Sequence, residues 1–282
     1  MTTARTIRPP EPITQPGDIW ELDDHLVICA DALSLDLVAV NAGNPVDLIL
    51  TDPPYAIFGS STGVASDVAD DRMVRPFFQA IARRAALSLP PYGHAYVHCD
   101  WRSWAALWEG FRLGGLAMRN MIVWDKGSPG HGHNYMGAHE LIAFAQNVPR
   151  HTAGSDSHGA HRPVYSSNIL RVPRPRGADR LHNAAKPLAL LEPLIASSTD
   201  RGDTVGDLFA GSGSVLLAAH NLGRRAVVVD IDPSGATSLS TAGSSTRAAP
   251  PAAIEEPPPT TSSTPPPDIA TTKGQDDHEP PA

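Results

Sequence analysis

The feature that most restricts the fold is a glycine turn at residues 207–214, which reads Asp-Leu-Phe-Ala-Gly-Ser-Gly-Ser. Thr204–Phe209 is an apolar run of strand length that enters the turn, and Val215–Leu222 follows it with helical spacing. Glycines let the backbone approach a ligand closely, and the free N–H groups at the start of a helix point to the same place. The next strand pattern ends at Asp230, 19 residues after Gly211, where an acid commonly binds ribose hydroxyls. The turn therefore predicts a strand–helix–strand unit that binds a nucleotide-like cofactor.

The glycines of this turn do not match two common nucleotide motifs. They do not continue into the Gly-x-Gly-x-x-Gly pattern of nicotinamide sites, and no lysine follows them as it does in a P-loop. A plain helix-entry turn remains the alternative, because a short Gly-x-Gly is a weak signal by itself. The strand and acid that follow favour the cofactor-binding interpretation.

Strand and helix patterns alternate along most of the chain. The strand patterns are Leu26–Ala30, Val46–Leu50, Ala95–His98, Met121–Trp124, Glu140–Ala145 and Ala226–Asp230, and further helical patterns are Val74–Leu89 and Pro187–Ala196. This alternation predicts an α/β fold with a mostly parallel sheet and helices on both faces. Ligands of such sheets bind beyond the carboxyl ends of the strands. Asp31, Asp52, Gly211 and Asp230 all fall at or just after strand ends, so we expect the chemistry there.

Composition sets the expected boundaries of the folded part. Residues 235–282 contain ten prolines and no aromatic residue. Such a segment buries too little apolar surface to offset the entropy of ordering it, so it is predicted to be a disordered tail. Residues 1–16 are predicted to be a shorter flexible leader, which leaves a folded domain at residues 17–234.

Charge and cysteine content narrow the partners and the compartment. The formal net charge is −8, but the tail from residue 235 carries −4 and leaves −4 for the rest. A local basic patch for nucleic acid is therefore compatible with the folded part. Two cysteines in no recognisable spacing and no apolar run of the ~18 residues that a membrane span needs favour a soluble, reducing compartment, the cytoplasm.

A second motif, Asp52-Pro53-Pro54-Tyr55, follows the strand pattern Val46–Leu50. The two prolines fix their φ angles and remove two backbone donors, which leaves the Asp52 carboxylate and the Pro53 carbonyl as acceptors. These acceptors suit the two hydrogens of an amino group on a planar ring, and the Tyr55 ring can stack on it. An ordinary Xaa-Pro-Pro loop is equally compatible with these four residues alone.

The motif TDPPY comes first, and DLFAGSGS follows much later in the chain. In this order the two motifs resemble those of amino-methylating DNA methyltransferases of the permuted β group. Phage and prophage DNA-modification methylases are similar in four further segments: residues 17–22, residues 28–32, the run from Trp124 to Glu140, and Lys186-Pro187 before an apolar helix. The resemblance covers about residues 17–233. It implies a Rossmann-like S-adenosylmethionine-dependent methyltransferase fold and transfer of a methyl group to N6 of adenine in double-stranded DNA.

The resemblance also implies residue roles. It assigns cofactor binding to Asp31, Ala32, Lys186, Pro187, Asp207, Phe209, Ala210, Gly211, Ser212, Gly213 and Asp230. It assigns the target base to Asp52, Pro53, Pro54 and Tyr55. The amino group would be drawn toward tetrahedral geometry by its acceptors and attack the methyl group in line, after the base has been flipped out of the duplex.

Alternatives remain at this stage. N4 of cytosine offers a similar amine, although cytosine enzymes more often carry Ser where Asp52 stands. An RNA or protein-amide methyltransferase more often begins the motif with Asn, and a non-catalytic DNA-binding relative would keep the fold alone. A homodimer and a cognate restriction endonuclease are partners that the resemblance leaves open.

By the same resemblance, a basic segment at about residues 150–182 is expected to be the target-recognition insertion. Its predicted DNA-binding arginines are Arg162, Arg171, Arg174, Arg176 and Arg180. A solvated loop is the alternative for such a charge run. His131, His133, His139 and Glu140 match no metal-binding spacing, so we expect no metal there.

Overall fold

The computed structural model describes residues 14–54, 71–130, 135–149, 167–174, 185–240 and 245–248. The strands are β1 (Ile19–Leu22), β2 (His25–Cys29), β3 (Leu48–Thr51), β4 (His94–Cys99), β5 (Ala117–Asp125), β6 (His139–Gln146), β7 (Ile169–Arg171), β8 (Thr204–Asp207), β9 (Arg225–Asp230) and β10 (Ser245–Ala248). The helices are α1 (Leu37–Val40), α2 (Asp71–Ser88), α3 (Trp104–Gly114), α4 (Leu188–Ser198), α5 (Ser214–Asn221) and α6 (Pro233–Ser240). None of the helices in these ranges is both long and apolar enough to cross a membrane.

The strands form one sheet in the order β10-β1-β2-β9-β8-β3-β4-β6-β5-β7. The five central strands from β2 to β4 run parallel, β6 runs antiparallel to both of its neighbours, and β7 runs parallel to β5. The predicted mostly parallel α/β sheet is therefore confirmed. Since β6 alone is reversed on this side of the sheet, its first residue lies at the same edge as the last residues of β3, β4, β5 and β8.

Two apolar layers cover the sheet, because successive side chains of a strand point to opposite faces. On β3, Ile49 packs in the layer that contains Phe78 of α2 and Phe111 of α3. Its neighbour Leu48 packs in the opposite layer, with Leu190 of α4 and other residues of α4, α5 and α6. The prediction of helices on both faces is thus confirmed, and the near-continuous apolar runs are those of strands buried on both sides.

Described residues extend the fold beyond the boundaries expected at residues 16 and 234. Thr14 is buried, and its N–H donates to Thr237 Oγ1 of α6 at 3.1 Å. After residue 234 the chain continues through α6 and then β10, which pairs with β1. All ten prolines of the predicted tail lie at Pro250 or beyond, after α6 and β10. The proline content of residues 235–282 therefore says nothing about residues 235–248. The expectations for residues 1–13 and 249–282 lie outside the described residues.

Candidate active site

A cavity of about 140 Å³ lies at the edge where β3, β4 and β8 end, and residues around the start of α4 complete its wall. Its lining comprises Thr51, Asp52, His98, Lys186, Leu191, Asp207, Phe209, Ala210, Gly211, Ser212, Ser214 and Val215. The tertiary structure therefore brings the Asp52 motif and the glycine turn, some 155 residues apart in sequence, to one cavity.

The glycine turn depends on left-handed backbone at Gly211 (φ 49°) and Gly213 (φ 75°). A Cβ atom on Gly213 would overlap Leu239 Cδ2 of α6, so this position admits no side chain as packed. A Cβ atom on Gly211 would meet only the Phe209 carbonyl oxygen, at 3.9 Å. The backbone at Gly211 is therefore open to a ligand, as the sequence predicts.

The side chain of Asp207, the last residue of β8, stabilises this turn through hydrogen bonds. Its Oδ1 accepts the Thr51 hydroxyl at 2.7 Å and the Phe209 N–H at 3.0 Å. Burial raises the pKa of Asp207 to about 7, although these two hydrogen bonds oppose the rise. Its carboxyl group consequently titrates near neutral pH at the wall of the cavity.

Asp230 ends β9 beside the turn, where the ribose-binding acid is predicted. Its Oδ1 accepts the Asp232 N–H at 2.9 Å, and burial raises its pKa. Gly235 of α6 packs against this carboxylate: a Cβ atom there would lie 2.9 Å from Asp230 Oδ2. Ile231, next in sequence, is 71% exposed and presents an apolar side chain beside the acid.

The neighbouring predicted residues Asp31 and Ala32 follow β2. The Asp31 carboxylate closes its own turn, since it accepts the Leu33 N–H and the Ser34 hydroxyl, each at 3.0 Å. The Ala32 side chain is buried in the apolar core. Ala32 could therefore reach a ligand at this edge only through its backbone.

An ion network links Asp52 to β6. Lys186 Nζ lies 2.7 Å from Asp52 Oδ2 and 3.0 Å from Glu140 Oε2, while Glu140 Oε1 accepts from Lys126. Both ammonium groups lie over the Trp124 ring, at 5.1 and 5.8 Å from its centroid. The network thus holds one oxygen of Asp52 in place.

Burial and charge act in opposite directions on this network. Burial alone would raise the pKa of Glu140, but the adjacent Lys186 and Lys126 outweigh it and hold that pKa at about 2. Burial would lower the pKa of Lys186, and the carboxylates of Asp52 and Glu140 raise it instead. Lys186 and Glu140 therefore stay ionised at neutral pH.

Two side chains at the cavity carry buried polar atoms that have no hydrogen-bond partner among the described residues. They are Asp52, through Oδ1, and His98, through both ring nitrogens. Burial, followed by the charge of Lys186, lowers the pKa of His98 to about 4, so its ring is neutral at pH 7. The sequence predicts His98 only as a strand residue, because its neighbours form no motif that marks a binding site.

The same edge carries the described part of the predicted DNA-binding segment. Arg171 ends β7 and is largely exposed, 3.6 Å from Asp125, and Arg174 lies 3.9 Å from Glu140. Trp101, which follows β4, is 72% exposed and was not predicted as a functional residue. Tyr55, Arg162, Arg176 and Arg180 lie outside the described residues.

The histidine cluster does not converge on one point in the described ranges. There, no group of three or more His, Cys, Asp or Glu side chains is arranged to hold a metal ion. His139 is the first residue of β6, and the carboxylate of Glu140 is engaged by lysines. His131 and His133 lie outside these ranges.

Known proteins resemble the chain in sequence and in structure. Type II methyltransferase M.HpaI of Haemophilus parainfluenzae is 25% identical over 226 residues, covering 74% of this chain and 71% of its own length. The protein YubD of Escherichia coli (strain K12) is 30% identical over 208 residues, covering 69% of this chain and 80% of its own length. The crystal structure of the M1.HpyAVI–SAM complex shares the fold, with a TM-score of 0.52 and 22% identity over 76% of this chain and 97% of that one.

The model of one protein family matches most of the folded chain, residues 46–239, and is described as "DNA methylase" for N6 and N4 methyltransferases. The match begins just before β3, which Asp52 follows, and ends in α6, so it contains the whole cavity. The chain therefore belongs to the N6/N4 family of DNA methylases.

Proposed function

We propose that this DNA methylase transfers the methyl group of S-adenosylmethionine to the exocyclic amine of a flipped base in double-stranded DNA, with N6 of adenine as its target. One observation carries the proposal. Asp52 lines the cavity together with the glycine turn, and its Oδ1 is a buried acceptor with no hydrogen-bond partner among the described residues. An acceptor for an amine and a cofactor turn therefore lie within reach of each other.

The cofactor is S-adenosylmethionine, and the residues present fit it. The open backbone at Gly211 would accommodate its methionine portion, and the Asp230 carboxylate would accept hydrogen bonds from the ribose hydroxyls. Ile231 offers an apolar surface to the adenine ring, with the turn at Asp31 and Ala32 on the other strand end. When bound, the cofactor supplies an electrophilic methyl group on a sulfonium.

The acceptors at the end of β3 prepare the amine of the base. Asp52 Oδ1 accepts one amino hydrogen and the Pro53 carbonyl accepts the other, which draws the nitrogen lone pair out of conjugation with the ring. The carboxylate then takes the surplus proton of the methylated nitrogen. This is catalysis by positioning and electrostatics, with no covalent bond to the protein.

Lys186 has a positioning role in this scheme. Its ammonium group occupies Asp52 Oδ2 at 2.7 Å, so that Oδ1 is the oxygen left for the base. Glu140 in turn fixes Lys186 at 3.0 Å. A preorganised acceptor of this kind avoids reorganisation when the base arrives.

The DNA is proposed to cover the edge that carries Trp101, Arg171 and Arg174. A base that reaches Asp52 must leave a duplex placed above this edge. Exposed arginines suit phosphate contacts or base edges, and an exposed tryptophan suits stacking. Arg162, Arg176 and Arg180 are proposed to belong to the same surface because they come from the same segment.

Finer features of the proposal come from the sequence motifs. The order of the Asp52 motif and the glycine turn favours the permuted β group. Asp rather than Ser at position 52 favours adenine over cytosine. A cytoplasmic location in a bacterial or phage-infected cell, with a homodimer and a paired restriction endonuclease, would suit a modification enzyme of this type.

The test measures which nucleoside receives the methyl group. Purified protein is incubated with methyl-labelled S-adenosylmethionine and unmethylated DNA, and the DNA is digested to nucleosides for mass spectrometry. We expect labelled N6-methyladenine from the wild type and from Asp24→Ala, an exposed carboxylate at the opposite end of the sheet, and none from Asp52→Ala. Labelled N4-methylcytosine would show that the target base is cytosine and not adenine. Unlabelled DNA from the wild type would contradict the proposal.

A further inference from the structure

His98 is a residue whose burial is expected to destabilise the free protein. Its side chain is 1% exposed, and neither ring nitrogen has a hydrogen-bond partner among the described residues. Burying a polar group without a partner opposes folding, and an apolar side chain of the same size would avoid this cost. A buried, unpartnered histidine that lines a ligand cavity therefore suggests that a ligand supplies the partner.

The sheet places His98 on the base side of the cavity. β3 and β4 are parallel neighbours with Thr51 opposite Val97, so Asp52 and His98 come one step later on adjacent strands, which lie about 4.8 Å apart. By strand alternation, both side chains point to the face covered by α4 and α5. The glycine turn and Asp230 lie on the other side of Asp52, because β8 and β9 flank β3 away from β4.

The chemistry of a neutral imidazole complements the base. It offers one N–H donor and one acceptor, whereas the ionised Asp52 offers acceptors only. The Watson–Crick edge of adenine presents an amine donor next to the N1 acceptor, and that of cytosine presents an amine next to N3. Burial, followed by the charge of Lys186, lowers the pKa of the ring against the opposing charges of Asp52 and Glu140, so the ring stays neutral and keeps its acceptor.

We infer that His98 positions the target base by donating its N–H to the ring nitrogen beside the exocyclic amine, N1 of adenine or N3 of cytosine, while Asp52 accepts from the amine. This inference rests on the proposed methyl transfer to DNA. It makes His98 a residue that contacts the substrate and aligns the amine, with no proton transfer of its own. The second ring nitrogen is left as an acceptor for water or for the base.

The first test separates a base contact from a structural role. His98→Leu is compared with His94→Leu, a buried histidine at the opposite end of the same strand whose Nδ1 is 2.8 Å from Ser198 Oγ. We expect His98→Leu to unfold at the same or a higher temperature and to lose about 10- to 100-fold in kcat/KM, with unchanged cofactor Kd. His94→Leu should instead lower the unfolding temperature and keep kcat/KM. His98→Asn, which keeps a donor, should recover part of the activity.

The second test identifies the atom contacted and does not depend on the folding of a variant. Wild-type protein is given DNA with 1-deazaadenine at the target, which lacks the N1 acceptor but keeps the amine; 3-deazacytosine is used if cytosine is the base. We expect the wild type to lose about the same factor as His98→Leu loses on normal DNA, and the variant to lose little more on the modified DNA.

Three results would overturn the inference. They are full kcat/KM of His98→Leu on normal DNA, an unchanged rate of the wild type on the modified base, and losses that multiply when both changes are combined. A wild type that transfers no methyl group to any unmodified DNA would contradict the proposed function itself, and with it this contact. If the wild type is active, the activities of the His98 variants test the His98 contact alone and leave the proposed function intact.

Discussion

Asp207→Asn is expected to stabilise the free protein at alkaline pH and to change little at pH 4. Burial raises the pKa of the Asp207 carboxyl group to about 7, against an ordinary value of 3.8. Between about pH 4 and pH 7 the native protein therefore holds a proton that the unfolded chain has released. The free energy of unfolding of the wild type consequently falls as the pH rises through this window, and stays low above it.

The size of the effect follows from the same two pKa values. The difference between 3.8 and about 7 corresponds to roughly 4 kcal/mol, which is the upper limit at pH 8.5. Asn keeps the Oδ1 acceptor for the Thr51 hydroxyl and the Phe209 N–H, so neither hydrogen bond is lost. Allowing for relaxation around the ionised group, we expect a gain of about 2 to 4 kcal/mol at pH 8.5.

The assay is urea denaturation at pH 4 and pH 8.5. Asp24→Asn, an exposed carboxyl group, is the control and should give similar changes at both pH values. A stabilisation of Asp207→Asn that is equal at the two pH values would refute the assignment of the raised pKa to this group. Destabilisation at pH 8.5 would mean that the ionised carboxylate has a partner stronger than the Thr51 hydroxyl.

Lys186→Met should lower the free energy of unfolding by about 3 kcal/mol and abolish methyl transfer, because two partly buried carboxylates lose their shared cation. Denaturation and turnover measure this, and a fully active variant would contradict the positioning role. Gly235→Ala should weaken cofactor binding about 10-fold with little change in stability, because its Cβ would displace the Asp230 carboxylate. Calorimetry with S-adenosylmethionine tests it, and an unchanged Kd would argue against Asp230 as a ligand. Trp101→Ala should weaken DNA binding about 10-fold at unchanged cofactor affinity, whereas Trp108→Ala, exposed on α3, should not. If fluorescence anisotropy gives equal DNA affinities for Trp101→Ala and the wild type, Trp101 does not contact DNA.

Regular elements of the central sheet were predictable because their signal is local. β2, β4, β6 and β9 lie within a few residues of the strand patterns, since a strand buried on both faces is a short continuous apolar run. α4 begins immediately after Pro187, as a proline at a helix start predicts. Their boundaries shift by one or two residues where the hydrogen-bond ladder outlasts the apolar run.

Other elements carry no such local signal. β10 is a short strand that pairs with β1, with Ala248 opposite Ile19, and a partner so distant in sequence cannot be recognised from the segment itself. α6 follows Pro233 in a polar, Ser- and Thr-rich stretch. It is held by contacts with β2 and with Thr14, and composition alone assigned it to the tail.

The amino-acid sequence by itself determined the fold class, the glycine turn and the Asp52 motif, because backbone freedom, rigid prolines and apolar periodicity act over a few neighbouring residues. Only the tertiary structure decided which groups meet. The reversed strand β6 brings Glu140 to Lys186, and the pairing of β3 with β4 sets His98 beside Asp52. The physical reason is that burial and the partners of a charge depend on distant segments. A histidine with no partner among the described residues and a carboxyl group with a pKa near 7 therefore arise only when the chain has folded.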